Sequence, residues 1–495
     1  MLILQCRIGS QLLLSLLLVS GFLSTGVAPS LPDESSQPAT TGWKIKFDES
    51  GSSPVIADGV LYVGSADGAV YALDPNTGEM KWRFQTGESL SPATSGPQVI
   101  TVPRGTSVVD QMIAAISAVE KQRGQGIRRV DMTPAVDNGT VFIGSGDHSF
   151  YAIDAATGKK KWSYVAGSGM ASNNFTSYPV PAAVLKNGTV YFVTEDGLHA
   201  LDALTGKRKW LFETLQEIPV EEMNFGRKRA PAGPVLGDGV IFLTAWPYIG
   251  SEASQKSFLY AVDPESGKAK WVTSVHRRVD ISGPLPAKGL VFFSVAEDTL
   301  AGVQNGKLVD TKATLYAIDA ASGQTKWKFD APMRFSSRPM LIAGNTICFG
   351  TDKGLFALEL ETGRQLWSFN KDEVSDIFAD DQYIHVFTGK FLGSKYTLHA
   401  LALSTGQEKW SQGLSGSAGI HKVHDGVIYA GGRSLQAIDA ATGRELWSFK
   451  ETGHARLISG GRIFLTSPTV RYFGSNRVDQ GYLYAIDAKT GKLKP

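Results

Sequence analysis

The residues best suited to bind something are cationic and grouped. Arg128-Arg129, Arg227-Lys228-Arg229, Arg277-Arg278, and Arg334 with Arg338 stand out in a chain whose formal net charge is only +2. A guanidinium presents a planar fork of donors, so converging arginines suit carboxylate or phosphate groups, or an acidic protein surface. Glu221, Glu222 and Asp280 lie close by in sequence and supply the opposing reading, a self-paired, solvated rim. Trp246, in the stretch TAWPY, offers a face for stacking a planar ligand or for packing its own loop. Catalytic signals are scarcer. The chain has no G-x-S-x-G elbow, Walker loop, zinc-type Cys/His cluster or haem-attachment motif. His421 and His424 are three apart in a strand pattern, which sends them to opposite faces, while His199 and His399 occupy a position held elsewhere by tyrosine and read as structural. Asn138, Asn174 and Asn187 open N-x-T triplets, which matter only in a glycosylating host.

A repeat positions these groups. YAIDAATGKKKW, from Tyr151 to Trp162, recurs in copies ending at Trp82, Trp210, Trp271, Trp327, Trp367, Trp410 and Trp447, and a last copy, YAIDAKTGKLKP, runs to Pro495. In every copy the Gly follows the Ala by six residues, and in the complete ones the Trp follows the Gly by four. The alternation of Tyr151 and Ile153 predicts a strand, Asp154 a turn stabilised by backbone groups one or two residues on, and Gly158 the positive φ of a hairpin whose return strand carries the Trp. Glu359 and Ala402 replace the Asp in two copies. A second hairpin precedes each cassette, with turns at Asp58-Gly59, Asn138-Gly139, Asn187-Gly188, Asp238-Gly239 and Asp425-Gly426. Each unit is therefore four antiparallel strands, A to D, and the chain an all-β propeller.

The cassettes resemble the AxDxxTGxxxW tryptophan-docking repeats of the pyrroloquinoline-quinone-like β-propeller superfamily, over nearly everything from Trp43 to Pro495. That superfamily includes quinoprotein dehydrogenases and the outer-membrane assembly lipoprotein BamB, so the resemblance implies a fold and leaves the function open. It also implies that Trp43, Trp82, Trp162, Trp210, Trp271, Trp327, Trp367, Trp410 and Trp447 dock on neighbouring blades. Each such Trp can bury roughly 150–250 Å², or about 4–6 kcal/mol gross. TGWKIKF, around Trp43, has a closing strand without its predecessors, and the last cassette lacks its Trp. Residues 42–47 are thus expected to pair with the strand near Tyr482–Asp487 and close the ring, giving nine blades, with eight as the alternative.

In a meander the A–B and C–D turns share one end of the ring and the B–C and D–A connections the other. Every long insertion belongs to the second set: residues 88–131, 211–231, 245–257, 296–313 and 467–481. Loops that vary on a rigid scaffold are where binding usually lives. Within the first, Ser107 to Gln122 has a helical apolar period through Val109, Met112, Ile113, Ile116 and Val119, read as a small helix over the ring or a docking helix near 98–128. The cationic groups lie in or beside D–A connections and should ring the central opening.

Residues 1–28 read as a secretory signal peptide and 29–41 as a flexible lead-in, leaving 42–495 as one propeller without a membrane span. Cys6 precedes the apolar run, so the lipid-attachment pattern of a bacterial lipoprotein is missing, a departure from BamB. Cys348 is then the one cysteine of the mature chain, expected as a buried small hydrophobe. The sequence reads as a periplasmic or secreted, non-catalytic scaffold with an envelope-associated protein partner, no nucleic acid and no cofactor. The alternative is a quinone-dependent dehydrogenase holding pyrroloquinoline quinone with calcium, or a propeller for a small anionic ligand. In such enzymes, the resemblance implies, the quinone lies between a Trp and a vicinal disulfide, and this chain has no adjacent cysteine pair.

Overall fold

The computed structural model describes residues 42–47, 52–65, 67–87, 130, 132–166, 183–215, 232–245, 256–276, 281–296, 303–304, 307–308, 311–333, 340–389, 395–415, 419–431, 434–451, 454–473 and 476–493. These form nine four-stranded antiparallel blades, a two-stranded hairpin of Val303–Gln304 with Lys307–Leu308, and no helix. Blade 1 runs Val55–Ala57, Val60–Gly64, Ala69–Leu73 and Met80–Gln85, strands A to D in chain order. Blades 2 to 8 repeat that order from Ala135, Val184, Ala232, Ile281, Met340, Val374 and Gly419. Blade 9 combines His454–Ser459, Arg462–Phe473 and Asn476–Asp487 with Trp43–Phe47, which pairs Trp43 with Ala485 and Phe47 with Gly481. The expected closure is therefore present, and the count is nine.

Burial follows strand position. Strands B and C are covered on both faces by adjacent blades, so Thr140–Gly144 is buried throughout and reads as a continuous apolar run. The outer strand D alternates, as in Lys160–Val165. In seven blades the A–B turn places both central residues at positive φ, 49° and 70° at Asp58-Gly59, the mirror-image geometry that matches strand twist. Blade 5 achieves this with Lys288 (50°) and Gly289 (74°), outside the Asn/Asp pattern.

The cassette turn differs in one detail from expectation: Asp154 reaches three residues on, its Oδ1 accepting from the Thr157 amide (2.9 Å) and hydroxyl (2.8 Å). Gly158 N–H donates to the Asp154 carbonyl at 2.9 Å. Because that main-chain bond recurs from Gly406 to Ala402 (2.8 Å), the turn survives without the carboxylate.

Every docking Trp bonds forward. Trp82 Nε1 donates to the Ala155 carbonyl of blade 2 (2.9 Å), Trp162 to Ala203 of blade 3 (3.0 Å), and Trp43 to Pro75 of blade 1 (3.1 Å). Trp210, Trp271, Trp327, Trp367, Trp410 and Trp447 repeat the contact at 3.0 to 3.2 Å. The indole also lies flat on the next blade's turn glycine: a Cβ added at Gly158 would come within 2.7 Å of the Trp82 ring. The glycine thus serves two needs, its positive φ and the close approach of a neighbour.

A second ring lies on strand B, opposite the cassette Ala. Tyr62, Phe142, Tyr191, Phe242, Phe292, Tyr429 and Phe464 each sit beside a docking Trp, with ring centroids 5.7–5.9 Å apart. Tyr62 and Tyr191 add hydroxyl bonds to the carbonyls their Trp residues use. Blade 6 fills the slot with Cys348, buried as expected, its thiol pushed up to about 12 by burial. Blade 7 fills it with His385, fully buried, 6.0 Å from Trp410, with Nε2 bonded to Asp380 at 2.8 Å and Nδ1 without a partner. A buried unpaired nitrogen costs about 1–3 kcal/mol, so His385→Phe, the residue of four other blades, should raise the melting temperature at neutral pH. A lowered value would mean that the Asp380 bond outweighs the orphaned nitrogen.

Candidate functional site

The strand order places the A–B and C–D turns at one end of the ring and all long connections at the other, where the B–C turns of blades 3 and 6 stay at two residues. Residues 88–129, 216–231, 246–255 and 297–302 join strands at this second end, as does 167–182, an insertion the repeat reading passed over. Arg128, Arg129, Arg227, Lys228, Arg229, Trp246, Arg277, Arg278, Arg334 and Arg338, together with Ser107 to Gln122, lie outside the described residues. What the described residues define is the frame from which those segments depart.

Two departures are latched. Gly87, at φ 62°, donates its N–H to the Tyr151 hydroxyl of blade 2 (3.1 Å), and that hydroxyl in turn bonds Asp147. Leu215, fully buried at φ 61°, does the same to Tyr260 of blade 4 at 3.1 Å. A leucine held left-handed is strained and persists only where its surroundings fix it. The cassette tyrosines thus pin the roots of two interblade insertions. Where histidine takes the tyrosine position it turns inward: His199 Nε2 meets Thr194 Oγ1 (2.9 Å), and His399 bridges Thr388 (2.9 Å) and Glu408 (3.0 Å). Both are buried and structural, as expected.

A buried hydroxyl closes strand B in eight blades: Ser65, Ser145, Thr194, Thr244, Ser294, Thr351, Thr388 and Thr466. Thr466 receives the Nε of Arg456 at 3.3 Å. Arg456 stands on the innermost strand of blade 9, in a bulge between Ala455 and Leu457, and burial lowers its pKa from 12.5. Equivalent bulges fall between Val374 and Asp376 and between Ile420 and Lys422. The latter breaks the period-2 alternation at His421, so the expectation of opposite faces for His421 and His424 loses its basis. Arg456 was missed in sequence because it is a lone arginine outside the clusters.

The B–C segment at 467–481 is a paired ribbon, not a loop. Strands B and C of blade 9 run on from Ser467↔Tyr482 to Phe473↔Asn476, while strand A stops pairing at Thr466 and strand D at Gly481. Among the described residues no group of three His, Cys, Asp or Glu is placed to hold a metal ion. Cys348 lies within the wall of blade 6, away from any second cysteine among them.

Nearly the whole chain has counterparts in known proteins. The family model described as outer membrane protein assembly factor BamB matches residues 36–129, 127–245, 255–390 and 381–494. The chain belongs to the BamB family. This BamB-family chain is 28% identical over 246 residues to BamB of Yersinia pestis, covering 44% of this chain and 59% of that protein. It is 33% identical over 126 residues to BamB of Nitrosomonas eutropha, covering 25% and 30%. The matches thus span less than two thirds of these relatives' length, 59% and 30%. A solved quinohemoprotein alcohol dehydrogenase from Comamonas testosteroni shares the fold, with TM-score 0.52, 15% identity and coverage of 92% of this chain and 77% of that one.

Proposed function

We propose that this BamB-family chain is an exported, non-catalytic scaffold of the cell envelope that holds a protein partner at the end of the ring bearing the long connections. One observation carries the reading: the two ends are built differently, with tight turns at one and insertions rooted by Tyr151 and Tyr260 at the other. On this reading residues 1–28 are a signal peptide, 29–41 a lead-in, and 42–495 a propeller with a helical insertion near 98–128, acting in the periplasm beside outer-membrane assembly components. No described helix is long and apolar enough to cross a membrane.

The test is charge reversal. Glutamate at Arg227, Lys228, Arg229, Arg277 and Arg278 should cut capture of an envelope partner at least ~10-fold, the equivalent of about 1.4 kcal/mol, while leaving the melting temperature unchanged. Full capture by the variant would move the binding site off this end. Arg456 favours a second reading, a small anionic ligand at the axis, with pyrroloquinoline quinone and calcium as its most specific form. Adding both to the purified chain checks it: an unshifted quinone spectrum with no dye-linked alcohol oxidation removes the quinone form.

A further inference from the structure

The end with tight turns carries a charge pattern that the partner reading leaves unused. In blades 2 and 3 the A–B and C–D turns (residues 135–140, 154–161, 184–189 and 202–209) hold seven cations and three carboxylates. Across the ring, in blades 6 to 8, the corresponding residues 341–346, 359–366, 377–383, 402–409, 422–427 and 439–446 hold four cations and eight carboxylates. The end is therefore polarised, positive on one side and negative on the other.

Most carboxylates of the positive side are already engaged. Asp154 pairs with Lys161 at 3.5 Å and Asp202 with Lys209 at 4.0 Å, besides bonding their own turns. Lys159, Lys160 and Lys207 are exposed and form no ion pair among the described residues. Arg208 crosses between the blades to the Tyr164 hydroxyl at 3.4 Å, and Lys186 reaches the Gly239 carbonyl at 3.3 Å. The two turns are joined rigidly, because Trp162 Nε1 bonds the Ala203 carbonyl at 3.0 Å and its ring covers Gly206. At the tip of this fixed turn stands Leu204, 83% exposed, where other blades place residues such as Asn76, Glu265 and Ser404.

We propose that this patch seats the ring on a bilayer surface rich in anionic headgroups, with Leu204 entering the boundary between headgroups and acyl chains. Six of the seven cations are lysines, mobile point charges that suit a diffuse anionic surface, where a specific carboxylate partner would favour the arginine fork. The exposed leucine, in the same turn as Lys207, Arg208 and Lys209, is the other half of an interfacial anchor. The acidic side would face away, which tilts the ring and leaves the insertion-bearing end free. The proposal does not depend on the partner reading, since the two use opposite ends.

Sedimentation of the full chain with phosphatidylcholine vesicles, with and without phosphatidylglycerol, tests it. Binding is expected only with phosphatidylglycerol and should weaken as salt rises. A juxtamembrane charge contributes roughly 5-fold in partitioning, so Lys159→Glu with Lys160→Glu and Lys207→Glu should lower binding ~100-fold or more at unchanged melting temperature. Leu204→Ser should lower it by about 5-fold, and Lys409→Glu with Lys422→Glu, on the acidic side, should change it less than ~2-fold. The proposal is overturned if the triple variant binds like the parent, if pure phosphatidylcholine binds equally well, or if no vesicle binds. In the last case lysine-dependent binding of polyglutamate would assign the patch to an acidic protein.

Discussion

Gly158→Ala is expected to destabilise the propeller by about 2–5 kcal/mol, whereas Gly139→Ala should cost about 1–2 kcal/mol. Both glycines belong to blade 2, and their φ values are close, 70° and 64°. Any difference between them is therefore not a matter of backbone conformation. A Cβ at Gly139 meets nothing within 4 Å, while one at Gly158 would sit 2.7 Å from the indole of Trp82. That indole cannot withdraw cheaply, because its Nε1 is tied to the Ala155 carbonyl at 2.9 Å and its ring lies beside Tyr62. The added methyl would have to break the docking contact or push blades 1 and 2 apart. Urea midpoints at constant slope would separate the two costs. Equal losses would show that the Trp does not press on the turn, and that the glycine is there for its φ alone.

This pair of glycines also shows which part of the molecule the sequence makes legible. A cassette's spacing reports what happens inside a blade, so the strands, the Asp-Gly turns and the nine-fold count follow from one repeat aligned on the next. The unmatched halves at Trp43 and Lys494 point to the closure for the same reason: only a circular arrangement pairs them. Apart from the docking Trp, contacts between blades are carried by positions that look unremarkable in a single repeat. Gly158 lies under the Trp of the blade before it, and Leu215 donates to the Tyr of the blade after it. The aromatic slot escapes for another reason. Cys348 and His385 interrupt a series of tyrosines and phenylalanines whose shared role appears only once the Trp beside each is seen. Arg462 is hidden likewise: it is buried at the closing seam, where Nη1 donates to Asn76 of blade 1 at 2.7 Å, a partner 386 residues away. The candidate site divides along the same line. Strand order assigns the insertions to one end, while the positions of the arginines depend on segments whose residues obey no repeat.

Acid should loosen the ring well before its paired carboxylates titrate. His199 is buried against Phe192, with ring centroids 5.0 Å apart, and burial lowers its pKa from 6.5 to about 4, Asp196 opposing the shift and Arg208 adding to it. The folded state holds this imidazole neutral, and the unfolded chain protonates it from pH 6.5 downward. Its contribution is therefore fully present above pH 6.5 and is lost as the pH falls toward 4, about 3 kcal/mol in all. His385 and His399 are lowered by burial too, with Asp380 opposing the first and Glu408 the second, and they act in the same direction. The engaged carboxylates lie in a different window: Glu408 is lowered from 4.5 to about 2, so its share disappears only below pH 4.5. Blade 6 supplies the control, because Phe356 holds the cassette position after a B–C turn of the same length, Thr351 to Phe356 as against Thr194 to His199. His199→Phe should match the parent at pH 7.5 within about 1 kcal/mol, since Thr194 Oγ1 keeps the Asp196 amide at 3.2 Å. At pH 4.5 the variant should be more stable than the parent by about 2–3 kcal/mol, read from urea midpoints at the two pH values. Parallel losses in variant and parent would mean that His199 takes up its proton in the folded ring, and that the acid sensitivity originates elsewhere.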